Sequence, residues 1–257
     1  MEFAEMKAAH EVLASLDYQS AKLSKGYANR WLSVNLSENR IEINPVTKYM
    51  KDIFTGGKGF DLYLMWHAFK DAIAWDDPDN VICISPGPLC GTAAFSGAGK
   101  SLVTGISPTT GSVMDCNVGG HFGPLLKFAG FDALKIQGKA SRDVILIVDG
   151  KLNRITLETA PHEAVNSVEL ADQLHHMYAD STEELQSVSV VSAGQGAENT
   201  LIGCLNFSFY DWERKTPRLK QAGRGGLGTV FRNKKLKALV AKSLSNRPRW
   251  TISVQAP

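Results

Sequence analysis

The stretch Gly87–Gly130 constrains this chain more than any other. It reads GPLCGTAAFSGAGKSLVTGISPTTGSVMDCNVGGHFGPLLKFAG. Glycine and small residues crowd it, yet apolar strand-like runs and a short amphipathic segment interrupt it, so it is not low-complexity. Glycine admits positive φ and lets backbone approach a ligand closely. So dense a set in a folded chain points to loops that wrap something large, rigid and polar. A second cluster, Gly223-Arg-Gly-Gly-Leu-Gly228, lies far downstream inside a basic run. Together the two clusters predict one cofactor held from two sides.

The 257 residues suffice for a substantial core, as one large domain or two small ones. The formal net charge of +2 excludes a polyelectrolyte. No run of about 18 apolar residues predicts a transmembrane helix. The first residues carry early acids and no apolar core of a secretory signal, which makes a cytoplasmic location the expectation. Four cysteines are present, Cys83, Cys90, Cys116 and Cys204, none in a C-x-x-C arrangement. Cys83 and Cys204 sit in apolar runs and read as buried thiols acting as small hydrophobes. Cys90 and Cys116 lie among the glycines, where a ligand role is open. The spacing does not supply the four clustered thiolates of an iron–sulfur site.

Periodicity predicts an N-terminal helix over 5–16, a strand pair over 30–36 and 40–43, and a helical stretch over 47–74 broken at Gly56-Gly57. Strands are expected at 81–85, 101–105 and 112–115, and a helix over 119–129 with Phe122, Leu125, Leu126 and Phe128 on its apolar face. Strands follow at 133–137, 143–148 and 152–157, the last two joined by Asp149-Gly150, a hairpin signal. A helix over 167–178 and strands at 187–192, 201–209 and 235–242 complete the reading. Hairpins mix with a few helices without β-α-β alternation, which predicts an α+β fold. The chain divides into an N-terminal helical extension (1–25), a main domain (26–242) and an irregular tail (243–257).

Two motif lookalikes fail on context. Gly97-Ala-Gly-Lys-Ser101 resembles a phosphate-binding loop, but position 94 is alanine where the motif needs glycine, and Leu-Val-Thr-Gly-Ile-Ser-Pro follows instead of a helix. Gly223-x-Gly-x-x-Gly228 matches the dinucleotide fingerprint by letter, but Arg-Leu-Lys-Gln-Ala precedes it rather than a hydrophobic strand.

From Arg214 to Lys242 the chain carries ten Lys/Arg and no Asp or Glu. The bland reading is a solvated basic face. The glycine cluster inside the run, with Arg224 at its centre, makes an anion site the sharper one, because amides and a guanidinium hold phosphate together. Lys100 stands among the glycines of the first cluster, and Asn117, before Gly119-Gly120, offers oxygen to a hard cation. The combination suits a phosphorylated organic cofactor with an associated metal. Nucleic acid is the rival, but aromatics are not interleaved with the basic residues.

Several ordered blocks resemble the N-terminal domain of the tungsten-containing aldehyde:ferredoxin oxidoreductase family. They are Gly56-Gly-Lys-Gly59, Gly87-Pro-Leu89, Asn117-Val-Gly-Gly120 with Phe122-Gly123, Leu126-Lys-Phe-Ala-Gly130, and Gly223-Arg-Gly-Gly-Leu-Gly228 followed by Asn233-Lys-Lys-Leu-Lys-Ala238. The resemblance implies paired, mostly antiparallel β-sheets with flanking helices, forming the base for a tungsten or molybdenum bis-pyranopterin. It implies cofactor contacts at Lys100 (where the family often has arginine), Asn117, Gly119, Gly120, Ala222, Gly223, Arg224 and Gly225. Oxygens of residues matching Asn117 and Ala222 would hold the Mg2+ that links the two pterin phosphates.

The resemblance spans only the first third of family members. Their later domains carry the 4Fe-4S cluster cysteines, the rest of the pterin clamp and the catalytic acid or histidine near the metal. A subunit of a split enzyme, a truncated product and a repurposed domain all remain open. The first function implied is an oxidoreductase part that takes an aldehyde to a carboxylic acid, or in a relative reduces an activated aromatic acid, with electrons passing through a cluster-bearing partner to ferredoxin. The second is a non-catalytic cofactor carrier or scaffold. Substrate, catalytic residues and the choice of tungsten or molybdenum are not written in this chain. His121 reads as structural rather than catalytic, and His67 and His175-His176 as core or surface residues.

Overall fold

Two mixed β-sheets and six α-helices organise the computed structural model, which describes residues 3–20, 22–69, 71–93, 97–161 and 166–243. One sheet runs β1 (Val12–Asp17), β9 (Arg154–Thr159), β8 (Val144–Asp149), β13 (Leu236–Lys242), β10 (Val188–Ser192), β11 (Leu205–Asp211), β12 (Thr216–Ala222). The other runs β3 (Arg40–Pro45), β2 (Arg30–Asn35), β7 (Ala133–Gln137), β4 (Ile82–Pro86), β5 (Ser101–Ile106), β6 (Val113–Val118). Among the described strands only β8/β13 and β2/β7 pair in parallel. The α+β class and the mostly antiparallel sheets agree with the sequence reading.

Strand β8, VILIVD, shows why the layers form. Successive side chains of a strand point to opposite faces. Val144, Leu146 and Val148 enter the central core, while Ile145 and Ile147 enter a second core on the outer face. Buried on both sides, the strand reads as a continuous apolar run instead of an alternation. The central core lies between the sheets and is filled by α4 (Phe122–Phe128) and α6 (Leu227–Asn233), which both contact strands of the two sheets. Helices α1 (Phe3–Ala8) and α5 (Ser167–Tyr178) cover the outer face of the seven-stranded sheet. Helices α2 (Lys48–Phe54) and α3 (Lys58–Ala68) cover the six-stranded sheet through Met50, Phe60, Leu64 and Met65. Side chains of this size each contribute about 1.5–3 kcal/mol when fully buried.

Four local expectations are corrected. The helix expected over 5–16 is helical only over Phe3–Ala8, and Val12–Asp17 is a strand paired with β9 and closed by a two-point Arg154–Asp17 contact. Sheet pairing overrides the helix propensity of those residues. The helical stretch expected to reach Ala74 ends at Ala68. The chain then enters a loop pinned by fully buried Asn80, which donates to the Trp75 carbonyl and accepts from the Ile106 amide. The strand expected at 201–209 is Leu205–Asp211, leaving Cys204 half-buried rather than in the core. Strand β12 and helix α6 are present where the sequence reading had only a basic glycine-rich run. The expected tail beyond Ser243 lies outside the described residues.

Lys127 and Lys234 are the most deeply buried of four buried lysines among the described residues. Lys127 of α4 pairs with Asp132 and donates to the Gly26 carbonyl, while Asp132 accepts from the amides of Ala28 and Asn29. The pair fixes α4 against the start of β2, and a buried ion pair keeps its place only with such added hydrogen bonds. Lys234, just after α6, donates to the carbonyls of Pro78 and Gly138, each at 3.1 Å. Burial, opposed by Asp77 and Asp79, pulls its ammonium down to about 7 from 10.5. The unfolded chain therefore binds one more proton than the folded one between those two values. This contribution to stability is complete above 10.5 and is lost as pH falls to 7. Stability measured by urea unfolding should rise from pH 7 to pH 10 more steeply in the natural chain than in Lys234→Met, by up to about 1.4 kcal/mol per pH unit. Parallel pH profiles of the two proteins would refute this assignment.

Candidate functional site

The two glycine clusters meet where the sheets meet. Strands β6 and β12 are edge strands of their respective sheets and pack against each other. Asn117 stands near the end of β6, and Gly119-Gly120 follow it directly. Ala222 ends β12, and Gly223, Arg224 and Gly225 follow. The Cys116 thiol donates to the Arg224 carbonyl at 3.0 Å, joining the two loops across the seam. The Lys100 ammonium donates to Asn117 Oδ1 at 2.8 Å, which adds the loop before β5 to the same face. Lys58, at the first turn of α3, pairs with Asp115 of β6 at 2.6 Å and adds the Gly56–Gly59 block. An exposed pair contributes about 0–1 kcal/mol, so its role here is to position the loop.

All eight residues named from the sequence lie on or beside this seam. Lys100, Asn117, Gly223 and Arg224 are exposed, Gly119, Gly120 and Gly225 are half-buried, and Ala222 is fully buried and presents only its backbone. The Arg224 guanidinium makes no ion pair with a described residue. The glycines differ in what requires them. Gly225 has φ +72, and a Cβ there would lie 2.3 Å from Met114 Cγ, so packing and backbone both demand glycine. Gly119 has no positive φ, and a Cβ there would meet nothing within 4 Å. Neither conformation nor packing requires glycine there, and the position faces open space.

That space is a cavity of about 750 Å³. Lys100, Gly119 and Gly120 border it on one side, and His121, Phe128, Phe209 and Lys220 on the other. Burial pulls the His121 imidazole below its usual value. Sequence reasoning missed Phe209 and Lys220. They sit on β11 and β12, and only the register Phe207↔Lys220 brings them beside the glycine loop.

The cysteines are unsuited to a cluster. Burial pushes the Cys90 thiol up to about 12 and Cys83 well above its usual value. Among the described residues no three His, Cys, Asp or Glu side chains are grouped to hold a metal ion. His175 is fully buried between the Leu185 carbonyl and Ser208, a core histidine as the sequence suggested. The basic run is not a uniform solvated face. Arg232 pairs with Asp143 and Glu198, Lys234 is buried and Lys242 pairs with Asp180. The dinucleotide lookalike does follow a strand, but β12 is a polar, antiparallel edge strand, so it builds no β-α-β unit. The phosphate-loop lookalike runs into strand β5, as expected.

Breaking the seam should be costly. Gly225→Ala should destabilise the fold by about 2–4 kcal/mol, from a strained φ and overpacking together. Met114→Ala in the same chain should restore the overpacking part and leave the conformational part. Denaturant midpoints of the single and double variants test this, and equal midpoints for both would refute the contact.

Comparison with known proteins supplies the frame for this geometry. Residues 31–243 match the family described as aldehyde ferredoxin oxidoreductase, N-terminal domain. The chain is 30% identical over 223 residues to the tungsten-containing aldehyde ferredoxin oxidoreductase of Pyrococcus furiosus, covering 87% of this chain and 34% of that protein. It is 30% identical over 228 residues to the Thermococcus kodakarensis protein of the same name, with the same coverages. It is 27% identical to the aliphatic sulfonate oxidoreductase, WOR-like subunit, of Pyrococcus furiosus, over 86% of this chain and 35% of that protein. The active site complex BamBC of benzoyl coenzyme A reductase, solved with 1,5 dienoyl-CoA, shares the fold at a TM-score of 0.71 and 23% identity, over 85% of this chain and 31% of that one. The chain thus spans about a third of the length of these relatives. The chain belongs to the aldehyde ferredoxin oxidoreductase N-terminal domain family.

Proposed function

We propose that this chain is the cofactor base of a tungsten- or molybdenum-pterin oxidoreductase that acts on aldehyde or oxo groups. It would work only with a cluster-bearing partner chain or with further domains. The observation that carries the reading is the convergence of Lys100, Asn117 and Arg224 on the glycine-lined seam between β6 and β12. The residues fit a phosphorylated pterin. Two cations face an open surface, and Gly119 leaves space that a side chain would fill. Edge strands also leave alternate backbone carbonyls without ladder partners, which suits Mg2+ held by oxygens of Asn117 and Ala222.

In this reading Lys100 and Arg224 neutralise phosphate, and Gly119, Gly120, Gly223 and Gly225 let it approach the backbone. When bound, the metal–dithiolene unit would supply the electron chemistry, with the protein supplying orientation and electrostatics. A 4Fe-4S cluster passing electrons to ferredoxin or a similar carrier would belong to the missing part, because the four thiols here stand singly, three buried and Cys204 half-buried. An apolar groove on the outer side of α2 and α3 supports a missing partner. Tyr49, Leu62 and Trp66 are 58%, 36% and 80% exposed there. Contiguous apolar surface of this kind marks an interaction site. The second reading, a cofactor carrier without catalysis, is favoured by one feature: no described residue lining the cavity is acidic. No described helix is long and apolar enough to cross a membrane.

Metal analysis of natively purified protein, with identification of whatever copurifies, tests the proposal. Stoichiometric tungsten or molybdenum alongside a larger cysteine-rich chain is the expected result. A monomer without metal and without pterin would sink it. Gly119→Ala gives an independent check. It should leave the unfolding midpoint within about 0.5 kcal/mol of the natural chain while reducing retained metal several-fold. Loss of stability with metal retained would make Gly119 a structural residue.

A further inference from the structure

Helix α3 begins at the proposed cofactor face, yet little in its own first turn fixes it there. Its N-cap is Gly57, with φ +54, and no side chain caps the turn among the described residues. Gly56 before it also has a positive φ. Phe60, Leu64 and Met65 seat the helix on the sheet, but apolar contacts are non-directional and tolerate rotation about the helix axis. The exposed Lys58–Asp115 pair is too weak to set that rotation by itself.

One carboxyl is buried in this interface. Asp61, one turn after Lys58, is fully buried. The Ser85 hydroxyl of β4 donates to one of its oxygens, and the Thr104 hydroxyl of β5 donates to the other at 2.9 Å. Both hydroxyls belong to fully buried residues. Thr104 is the cross-strand partner of Asp115. The contacts therefore close a ring. It runs from α3 through Asp61 to Thr104, across the β5–β6 ladder to Asp115, and back through Lys58 to the same helix turn. Burial pushes the Asp61 carboxyl well above the usual carboxylate range, against the pull of the two hydroxyls, and the charge of Asp115 adds to the rise. Burying a carboxyl is costly. For adhesion alone an apolar side chain of similar size would serve as well or better. What the carboxyl adds is direction, since hydrogen bonds constrain angle as well as distance.

We propose that Asp61 is a positioning residue of the cofactor face, holding the first turn of α3 in the rotation that sets Lys58 beside Asp115 on the strand that carries Asn117. The consequence for a bound cofactor rests on the cofactor-base reading, whereas the clamp itself does not.

Amine labelling of the full chain tests the clamp, on protein produced without tungstate or molybdate so that no metal centre covers the face. The acetylation rate of Lys58 is read by mass spectrometry against that of Lys48, whose partner Asp52 lies on its own helix. Asp115→Asn removes the pair directly and sets the rate of a released Lys58. Asp61→Asn keeps a polar group between the two hydroxyls and should label like the natural chain. Asp61→Leu should label Lys58 about two- to fivefold faster, approaching the Asp115→Asn rate. Should that variant fail to fold, Asp61→Leu/Ser85→Ala/Thr104→Val removes the polar partners together and carries the test. Equal Lys58 rates in the natural chain and the folded apolar variant would overturn the clamp. Metal and pterin retained by the same variants after growth with tungstate then separate the two readings. A several-fold loss in the apolar variant, with Asp61→Asn unaffected, supports both. A faster Lys58 in chains that all lack metal and pterin, the natural one included, supports the clamp and overturns the cofactor base. Full retention despite a faster Lys58 would overturn the positioning role at the cofactor face.

Discussion

Everything at the site depends on how closely β6 and β12 approach each other. They are the last strands of two separate sheets, and sheets that share a core normally keep about 10 Å between them. Here α4 and α6 fill the space between the sheets, while β6 and β12 come together at the rim. The approach is possible because Gly225 places no side chain against Met114, and because Cys116 is slim enough to reach the Arg224 carbonyl. What the seam presents to solvent is therefore backbone from two directions, with few side chains in the way.

Electrostatics sharpen the same place by subtraction. The run after Arg214 carries many cations, but the fold consumes a good part of them internally. Arg232 ties α6 to Asp143 and Glu198, Lys234 locks the loop at Pro78 to Gly138, and Lys242 reaches Asp180. Arg214 folds back on Asp211 within its own turn. Arg224 and Lys220 are left facing the seam and the cavity, joined by Lys100 from the other sheet. A basic run spread along the sequence thus leaves Arg224 and Lys220, with Lys100, around the proposed cofactor face.

The sequence made some of this legible and hid the rest for physical reasons. Helix 167–178 was readable to the residue because Asn166 caps it locally, its side chain accepting from the Glu169 amide at 2.8 Å. The β8–β9 hairpin was readable from Asp149-Gly150 at its turn, although Asp149 still pairs with Arg154 and the loop spans residues 150–153. The N-terminal strand β1 was not, since its helix formers are overruled only by β9, which arrives over a hundred residues later. Strand β12 was hidden because an edge strand with one polar face lacks the apolar density that marks strands such as β8. At the site, glycines and Asn117 announced themselves by composition and by family resemblance. Phe209 and Lys220 did not, because nothing in their own neighbourhood distinguishes them from surface residues. Their role depends on a register that local sequence does not encode.

The seam and the apolar groove are related by position, and that relation bears on how a complete site would be built. Helix α3 begins at Lys58, which is ion-paired to Asp115 two residues before Asn117. Its far end carries Trp66, exposed beside Tyr63 and His67. One helix therefore runs from the edge of the proposed cofactor face to the apolar groove. A partner or further domain that covered the cofactor would meet the first turn of α3 and could continue along it onto the groove. Covering the phosphate end alone would gain little, because charged groups already satisfied by water contribute modestly on association. Burial of Trp66, Tyr49 and Leu62 would supply the apolar area that such a union needs, at about 25 cal/mol per Å². The polar seam would then set where the partner sits, and the groove would set how tightly it holds.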